Sequence, residues 1–109
     1  SSNLTCRVNH NNAGYIASKA ALEGIVKQLA YDCGDRNIRC NAIAPGYFRS
    51  NMTGDSNKEV ERIIVNNTPL HRLGMADEIA NVIDFILSSK ASWVNGQVII
   101  VDGGNTIGF

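Results

Sequence analysis

The run Gln97-Val98-Ile99-Ile100-Val101, closed by Asp102-Gly103-Gly104, limits the possible folds more than any other feature of the chain. It is short, mostly β-branched and does not alternate with polar residues. That is the pattern of a strand in a parallel sheet covered on both faces. Parallel neighbours are reached through crossover segments, usually helices, and the remaining sequence supplies such parts. Ile38-Arg39-Cys40-Asn41-Ala42-Ile43-Ala44, bounded by Pro45-Gly46, reads as a second strand. From Tyr15 to about Cys33 the chain is rich in strong helix formers, with Gly34 as the expected stop. Apolar residues surround this helix: Ile16, Ala20, Ile25 and Leu29, joined by Ala17, Ala21, Leu22 and Val26. Burial on two sides is therefore expected, against a sheet on one face and a helix, from this chain or a second subunit, on the other. Ser56 to Val65 reads as a polar helix with Val60, Ile63 and Ile64 as a narrow apolar edge. After Thr68-Pro69 comes a third helix, where Ile79, Val82, Ile83, Ile86 and Leu87 recur at helical spacing behind Asp77 and Glu78.

Helix, strand, helix, helix, strand is the tail of an α/β, doubly wound parallel sheet. Two parallel strands do not make an independently stable sheet, since three or more are usually needed. Residues 1–109 are thus expected to form the C-terminal part of one larger domain, with its first βαβ units absent from these residues. The chain is 44% hydrophobic, enough to bury a core, and its ten basic residues balance ten acidic ones with no block of like charge. Neither a nucleic-acid groove nor an anionic membrane surface is the expected partner. Cys6, Cys33 and Cys40 lack the spacing of a zinc site, so no metal is expected. They read as reduced thiols of a cytoplasmic protein, Cys33 and Cys40 as small packing residues. The apolar runs are too short to span a bilayer, and no signal-peptide pattern opens the chain.

Tyr15 and Lys19 stand four apart on one face of the first helix, with Cβ atoms about 5–6 Å apart. A phenol ionises near pH 10, and moving that to about 7 takes roughly 4 kcal/mol in favour of the phenolate. A cation about 4 Å away at an effective dielectric near 20 supplies about that much. The spacing alone is common by chance, but its surroundings are not. Tyr15-Ile16-Ala17-Ser18-Lys19-Ala20-Ala21 resembles the YxASKAA segment of short-chain dehydrogenases/reductases. Asn41-Ala42-Ile43-Ala44-Pro45-Gly46 resembles that family's N-x-I-x-P-G strand end. Pro69-Leu70-His71-Arg72-Leu73-Gly74 with Glu78-Ile79-Ala80, then Asn95-Gly96-Gln97 with Val101-Asp102-Gly103-Gly104, follow in the family's order.

The resemblance implies a Rossmann-type fold and reversible hydride transfer between NAD or NADP and a carbonyl/alcohol substrate. Tyr15 would be the acid/base, and Lys19 would tune it and bind the nicotinamide ribose. Ser2, 13 residues before Tyr15, would polarise the carbonyl; Ser1 is the neighbour that a one-residue loop change would select. Pro45 and Gly46 would let the backbone approach the nicotinamide, Phe48 would contact its carboxamide, and Ser50 would hold the place of the family's cofactor-binding threonine. The resemblance leans toward 3-oxoacyl-carrier-protein reductases, with sugar or polyol dehydrogenases of the same family as the alternative. The substrate would be a small-molecule or acyl-carrier-linked carbonyl compound, and the assembly a homodimer or homotetramer. A non-catalytic assembly fragment is the rival of another class. The glycine-rich dinucleotide loop, the residue that selects NAD or NADP and the family's catalytic asparagine are not among these residues, so the 109 residues alone are expected to be inactive. His10 and His71 read as surface residues, Asn11-Asn12-Ala13-Gly14 as loop, Asp102 as a turn former and Trp93 as packing.

Overall fold

The computed structural model describes residues 1–7, 10–49 and 58–107. A 3-10 turn, Asn3–Thr5, precedes helix α1 (Ala13–Cys33) and a second 3-10 turn, Gly34–Arg36. Strands β1 (Ala42–Pro45) and β2 (Phe48–Arg49) follow, then helix α2 (Lys58–Asn66) and strand β3 (Gly74–Met75). Helix α3 (Ala76–Leu87), a 3-10 turn at Ser89–Ala91 and strand β4 (Val98–Val101) complete the order. β1 and β4 pair in parallel, Ala42 opposite Val98 and Pro45 opposite Val101. β2 and β3 form a second parallel pair, with Phe48 opposite Gly74. The architecture is α/β with parallel strands, part of a Rossmann-type fold, as expected from the order of elements. At two residues each, β2 and β3 are too short to show periodicity and were not expected.

The first long strand begins at Ala42 rather than Ile38. The residues before it tie the chain to the turn that leads into β4. Cys40 N–H donates to Asn95 Oδ1 at 2.9 Å, Asn41 Nδ2 to the Val94 carbonyl at 2.9 Å, and Gly96 N–H to the Cys40 carbonyl at 2.8 Å. Arg39 donates to the carbonyls of Ile86, Ser88 and Val94, satisfying groups at the end of α3 that a helix leaves unpaired. The ladder then runs from Ala42 N–H on the Gln97 carbonyl to Gly46 N–H on the Val101 carbonyl. Donors toward β4 fall at 42 and 46, so Pro45, of opposite parity, lacks an N–H only on the side away from β4.

Helix α1 starts two residues earlier than expected, with Ala13 and Gly14 in its first turn rather than in a loop. It ends at Cys33 with Gly34 as its C-cap, as expected, but the Gly34 φ of −63° is right-handed and the chain continues into the 3-10 turn. The reversal comes at Asn37, at φ 57°, whose N–H donates to the Gly34 carbonyl; asparagine tolerates that region. The less exposed positions of α1 are Ile16, Lys19, Glu23, Val26, Ala30 and Cys33, one stripe along the side that meets β1 and the first 3-10 turn. Leu22, Ile25 and Leu29 face outward. The buried apolar residues are Ala30, Ala42, Ala44, Ile86 and Ala91, so this core is thin and rests on close backbone approach.

Two burial expectations are corrected. β4 is half-buried, not covered on both faces, and Ile100 is exposed, because among the described residues the strand pairs only with β1. Trp93, expected to pack, is 98% exposed. The second expected helix is α2, and Ser56 lies outside the described residues. α3 buries Ile86 and leaves Ile83 and Leu87 outward. Cys6, Cys33 and Cys40 are free thiols. No helix among the described residues is long and apolar enough to cross a membrane.

At the start of α3, Arg72 grips Glu78 with both guanidinium nitrogens, at 2.7 and 2.6 Å, and Met75 N–H donates to the same carboxylate. These bonds, Arg72 first, bring Glu78 from the ordinary 4.5 down to about 2. A carboxylate whose folded value is lowered adds stability above its unfolded value, which is lost as pH falls through the folded one. Stability should therefore decline between pH 4.5 and 2 in part through this group. In Glu78→Gln that part of the decline disappears, as urea midpoints followed across the window will show.

Candidate active site

The N-terminal residues are set beside β1. The Ser1 nitrogen donates to the Ile43 carbonyl at 2.9 Å, on the edge away from β4. Ser2 is buried and caps the turn that follows, its Oγ accepting from Leu4 N–H at 3.2 Å. The Ser2 hydroxyl proton has no acceptor among the described residues, so it remains free to be donated. Ser1 differs: its hydroxyl donates to Glu23 on α1, a carboxylate that also accepts from Thr5 Oγ1 at 2.8 Å. Of the two serines that the sequence left in competition, only Ser2 has an uncommitted proton.

Ser2 opens on a cleft of about 220 Å³ that Tyr15, Pro45, Gly46 and Phe48 also line. Five of the sequence-derived site residues thus meet at the carboxyl end of β1. Tyr15 reaches the cleft from the first turns of α1, 46% exposed. Lys19 does not line it, but its Nζ lies over the Tyr15 ring, 5.4 Å from the centroid, a cation–π placement. Ser50 lies outside the described residues.

The sequence did not flag the polar residues behind the cleft. Asn3 and Asn105 are buried and bonded to each other, and Asn105 Nδ2 donates to Thr68 Oγ1 at 3.1 Å and to the Asn67 carbonyl at 3.2 Å. Asp102 was read as a turn former, and it is one: its carboxylate accepts from Gly104 N–H at 2.9 Å and Thr106 N–H at 2.8 Å. It also accepts from Asn3 Nδ2 at 3.4 Å. Partial burial works against its charged form, but bonds from Thr106, Gly104 and Asn3 outweigh that and hold the carboxyl below its ordinary range. The sequence signal was Asp102-Gly103-Gly104 itself, where both glycines take positive φ. Its reach to Asn3, 99 residues away, had no local sign.

A cleft at the carboxyl ends of parallel strands, reached by a helix that carries a tyrosine–lysine pair, places the chain in the class of Rossmann-type α/β proteins that bind ligands at that end of the sheet. The sequence profile of the enoyl-(acyl carrier protein) reductase family matches residues 1–106. The 3-oxoacyl-(acyl-carrier-protein) reductase of Rickettsia felis is 43% identical over 96 residues, covering 88% of this chain and 40% of the relative. The 7alpha-hydroxysteroid dehydrogenase of Escherichia coli K12 is 41% identical over 97 residues, covering 88% of this chain and 38% of that protein. Among solved structures, 4-hydroxyisoleucine dehydrogenase complexed with NADH superposes with a TM-score of 0.84 at 38% identity, covering 89% of this chain and 41% of that one. A short-chain type dehydrogenase/reductase from Mycobacterium ulcerans does so at 0.88 and 31% identity, over 99% of this chain and 40% of that one. The chain belongs to the short-chain dehydrogenase/reductase family. It spans about two fifths of the length of the relatives it matches.

The family implies a nicotinamide cofactor, and the donor set fits one end of it. The cleft has room for a flat ring against the Pro45–Phe48 segment. The Tyr15 hydroxyl and Lys19 ammonium are donors of the kind that ribose hydroxyls accept. The described residues offer no glycine-rich turn leading into a helix N-terminus for the pyrophosphate.

Gly46 has a packing reason to be glycine. A Cβ there would stand 2.5 Å from Asp102 Cβ and 2.8 Å from Asp102 Cα. Gly46→Ala should cost about 1–3 kcal/mol, the range of forced overpacking. Gly24 in α1 has open space around it, and Gly24→Ala should gain about 0.5–1 kcal/mol from helix propensity. Urea unfolding of both variants checks the contrast.

Proposed function

We propose that the protein containing this chain is an NAD- or NADP-dependent oxidoreductase that interconverts a carbonyl and an alcohol. The observation that carries the reading is the meeting of Ser2, Tyr15, Pro45, Gly46 and Phe48 on one cleft, with Lys19 stacked on Tyr15. The bound nicotinamide supplies or accepts the hydride. Ser2 donates a hydrogen bond from its free hydroxyl to the substrate oxygen and orients it. Tyr15 moves a proton to or from that oxygen. Lys19, its ammonium over the Tyr15 ring, helps hold the phenol in place and binds the ribose hydroxyls. Pro45, Gly46 and Phe48 form the backbone wall against the ring, and Ser50 takes part in cofactor binding.

For the substrate we favour a 3-oxoacyl group on a carrier, a reading supported by several 3-oxoacyl-(acyl-carrier-protein) reductases at 40–43% identity. The hydroxysteroid dehydrogenase at 41% identity supports a second reading, an alcohol of another class. Residues 1–109 act as the catalytic C-terminal part of one domain. The exposed Leu22, Ile25 and Leu29 support further chain or a second subunit against α1, and so a homodimer or homotetramer. We place the protein in the cytoplasm.

Tyr15→Phe in the full natural protein keeps the ring and removes only the group that transfers the proton. Turnover should fall by at least about 100-fold, the usual worth of general acid–base catalysis, while NADH or NADPH affinity stays within about twofold. Equal turnover would refute the assignment of Tyr15, and a wild type without turnover would favour the non-catalytic reading.

Lys19→Met should lower turnover and weaken cofactor binding together. Unchanged turnover together with unchanged cofactor affinity would remove Lys19 from the site.

A further inference from the structure

We propose that Arg7, held in place by Asn105, binds a second oxygen of the substrate next to the reacting carbonyl, so that the site selects oxoacyl compounds. The proposal rests on the oxidoreductase reading and deepens it. A second cleft, of about 100 Å³, lies between the residues that follow Ser2 and helix α2. Leu4 and Tyr47 line both this cleft and the catalytic one, so the two adjoin. Among the described residues Arg7 is its only charged lining residue, and Ile63 and Ile64 of α2 give it an apolar wall. Among those residues no carboxylate lines either cleft.

Arg7 is fixed on one side only. Its Nη1 donates to the backbone carbonyl and to the side-chain Oδ1 of Asn105, both at 3.2 Å. Asn105 is 3% exposed and anchored in turn to Asn3, Thr68 and the Asn67 carbonyl. A guanidinium offers five N–H donors. Those on Nε and Nη2 have no acceptor among the described residues, and Arg7 forms no ion pair there. A half-buried cation with spare donors, oriented by a rigid buried amide and bordered by apolar residues, suits an acyl oxygen with a short alkyl segment beside it. Two sources carry that oxygen: the carbonyl of a thioester and a free carboxylate. The carboxylate gains more, because its bond joins two charges. A sugar or a sterol, with hydroxyls or hydrocarbon in that place, gains less.

The test uses the full natural protein, wild type, Arg7→Gln and Arg7→Lys, with three probes. These are 3-oxobutanoate, the N-acetylcysteamine thioester of 3-oxobutanoate, and 2-pentanone, which has no second oxygen. In Arg7→Gln, KM should rise about tenfold or more for 3-oxobutanoate and about two- to tenfold for the thioester, whose bond to the guanidinium carries charge on the donor only. The values for 2-pentanone and the affinity for NADH should stay within about twofold. Arg7→Lys should recover part of the 3-oxobutanoate loss. The same change on all three probes, or none, overturns the subsite and leaves the oxidoreductase reading standing. If the wild type binds NADH and turns over none of the probes, both fall.

Discussion

Where β1 ends, the backbone of Gly46 lies against Asp102 with no room for a side-chain carbon, and the rest of the site is arranged around that contact. The Gly46 N–H on the Val101 carbonyl closes the β1–β4 ladder at this point. One chain then turns through Gly46 and Tyr47 into the wall of the cleft. The other turns at Asp102, whose carboxylate gathers Gly104, Thr106 and Asn3. Asn3 follows Ser2, so a packing contact between two strand ends also sets the height of the candidate serine. A buried, fully bonded polar cluster resists small displacements because each member would lose its partner. Positional accuracy at Ser2 and Arg7 comes from that resistance rather than from an apolar core, which here is mostly alanine.

Helix α1 has two tasks that pull its sequence in different directions. Its inward stripe carries Lys19 and Glu23 among Ile16, Val26 and Ala30. Lys19 serves Tyr15, and Glu23 ties down Ser1 and Thr5. The outward side carries Leu22, Ile25 and Leu29. Two charged groups thus sit among the inward apolar ones, and large apolar groups also face out. This explains why the helix shows no single apolar stripe in its sequence.

Much of this was legible in the residues. The Tyr15–Lys19 pair, the Pro45-Gly46 strand end and the Val98–Val101 strand could be read locally, because each depends on spacing or on the intrinsic preference of a few neighbours. Errors arose where distant groups competed for the backbone. Ile38 to Asn41 have strand-like composition, yet Asn95 and Val94 engage Cys40 and Asn41 first. Gly34 does cap α1, but the left-handed turn expected with it comes at Asn37. The two-residue strands Phe48–Arg49 and Gly74–Met75 exist only because the segments lie side by side.

By itself, the sequence determined the α/β class and the family, and it marked Tyr15 and Lys19 as the candidate pair, since those follow from local patterns that survive without knowledge of contacts. Only the tertiary structure shows that the Glu23 carboxylate captures the Ser1 hydroxyl across 22 residues of chain and leaves that of Ser2. It also decided that Asn3, Asp102 and Asn105 form one cluster, joined across 99 and 102 residues. Hydrogen bonds act over about 3 Å of space regardless of separation along the chain, and only the folded backbone brings those residues within that distance.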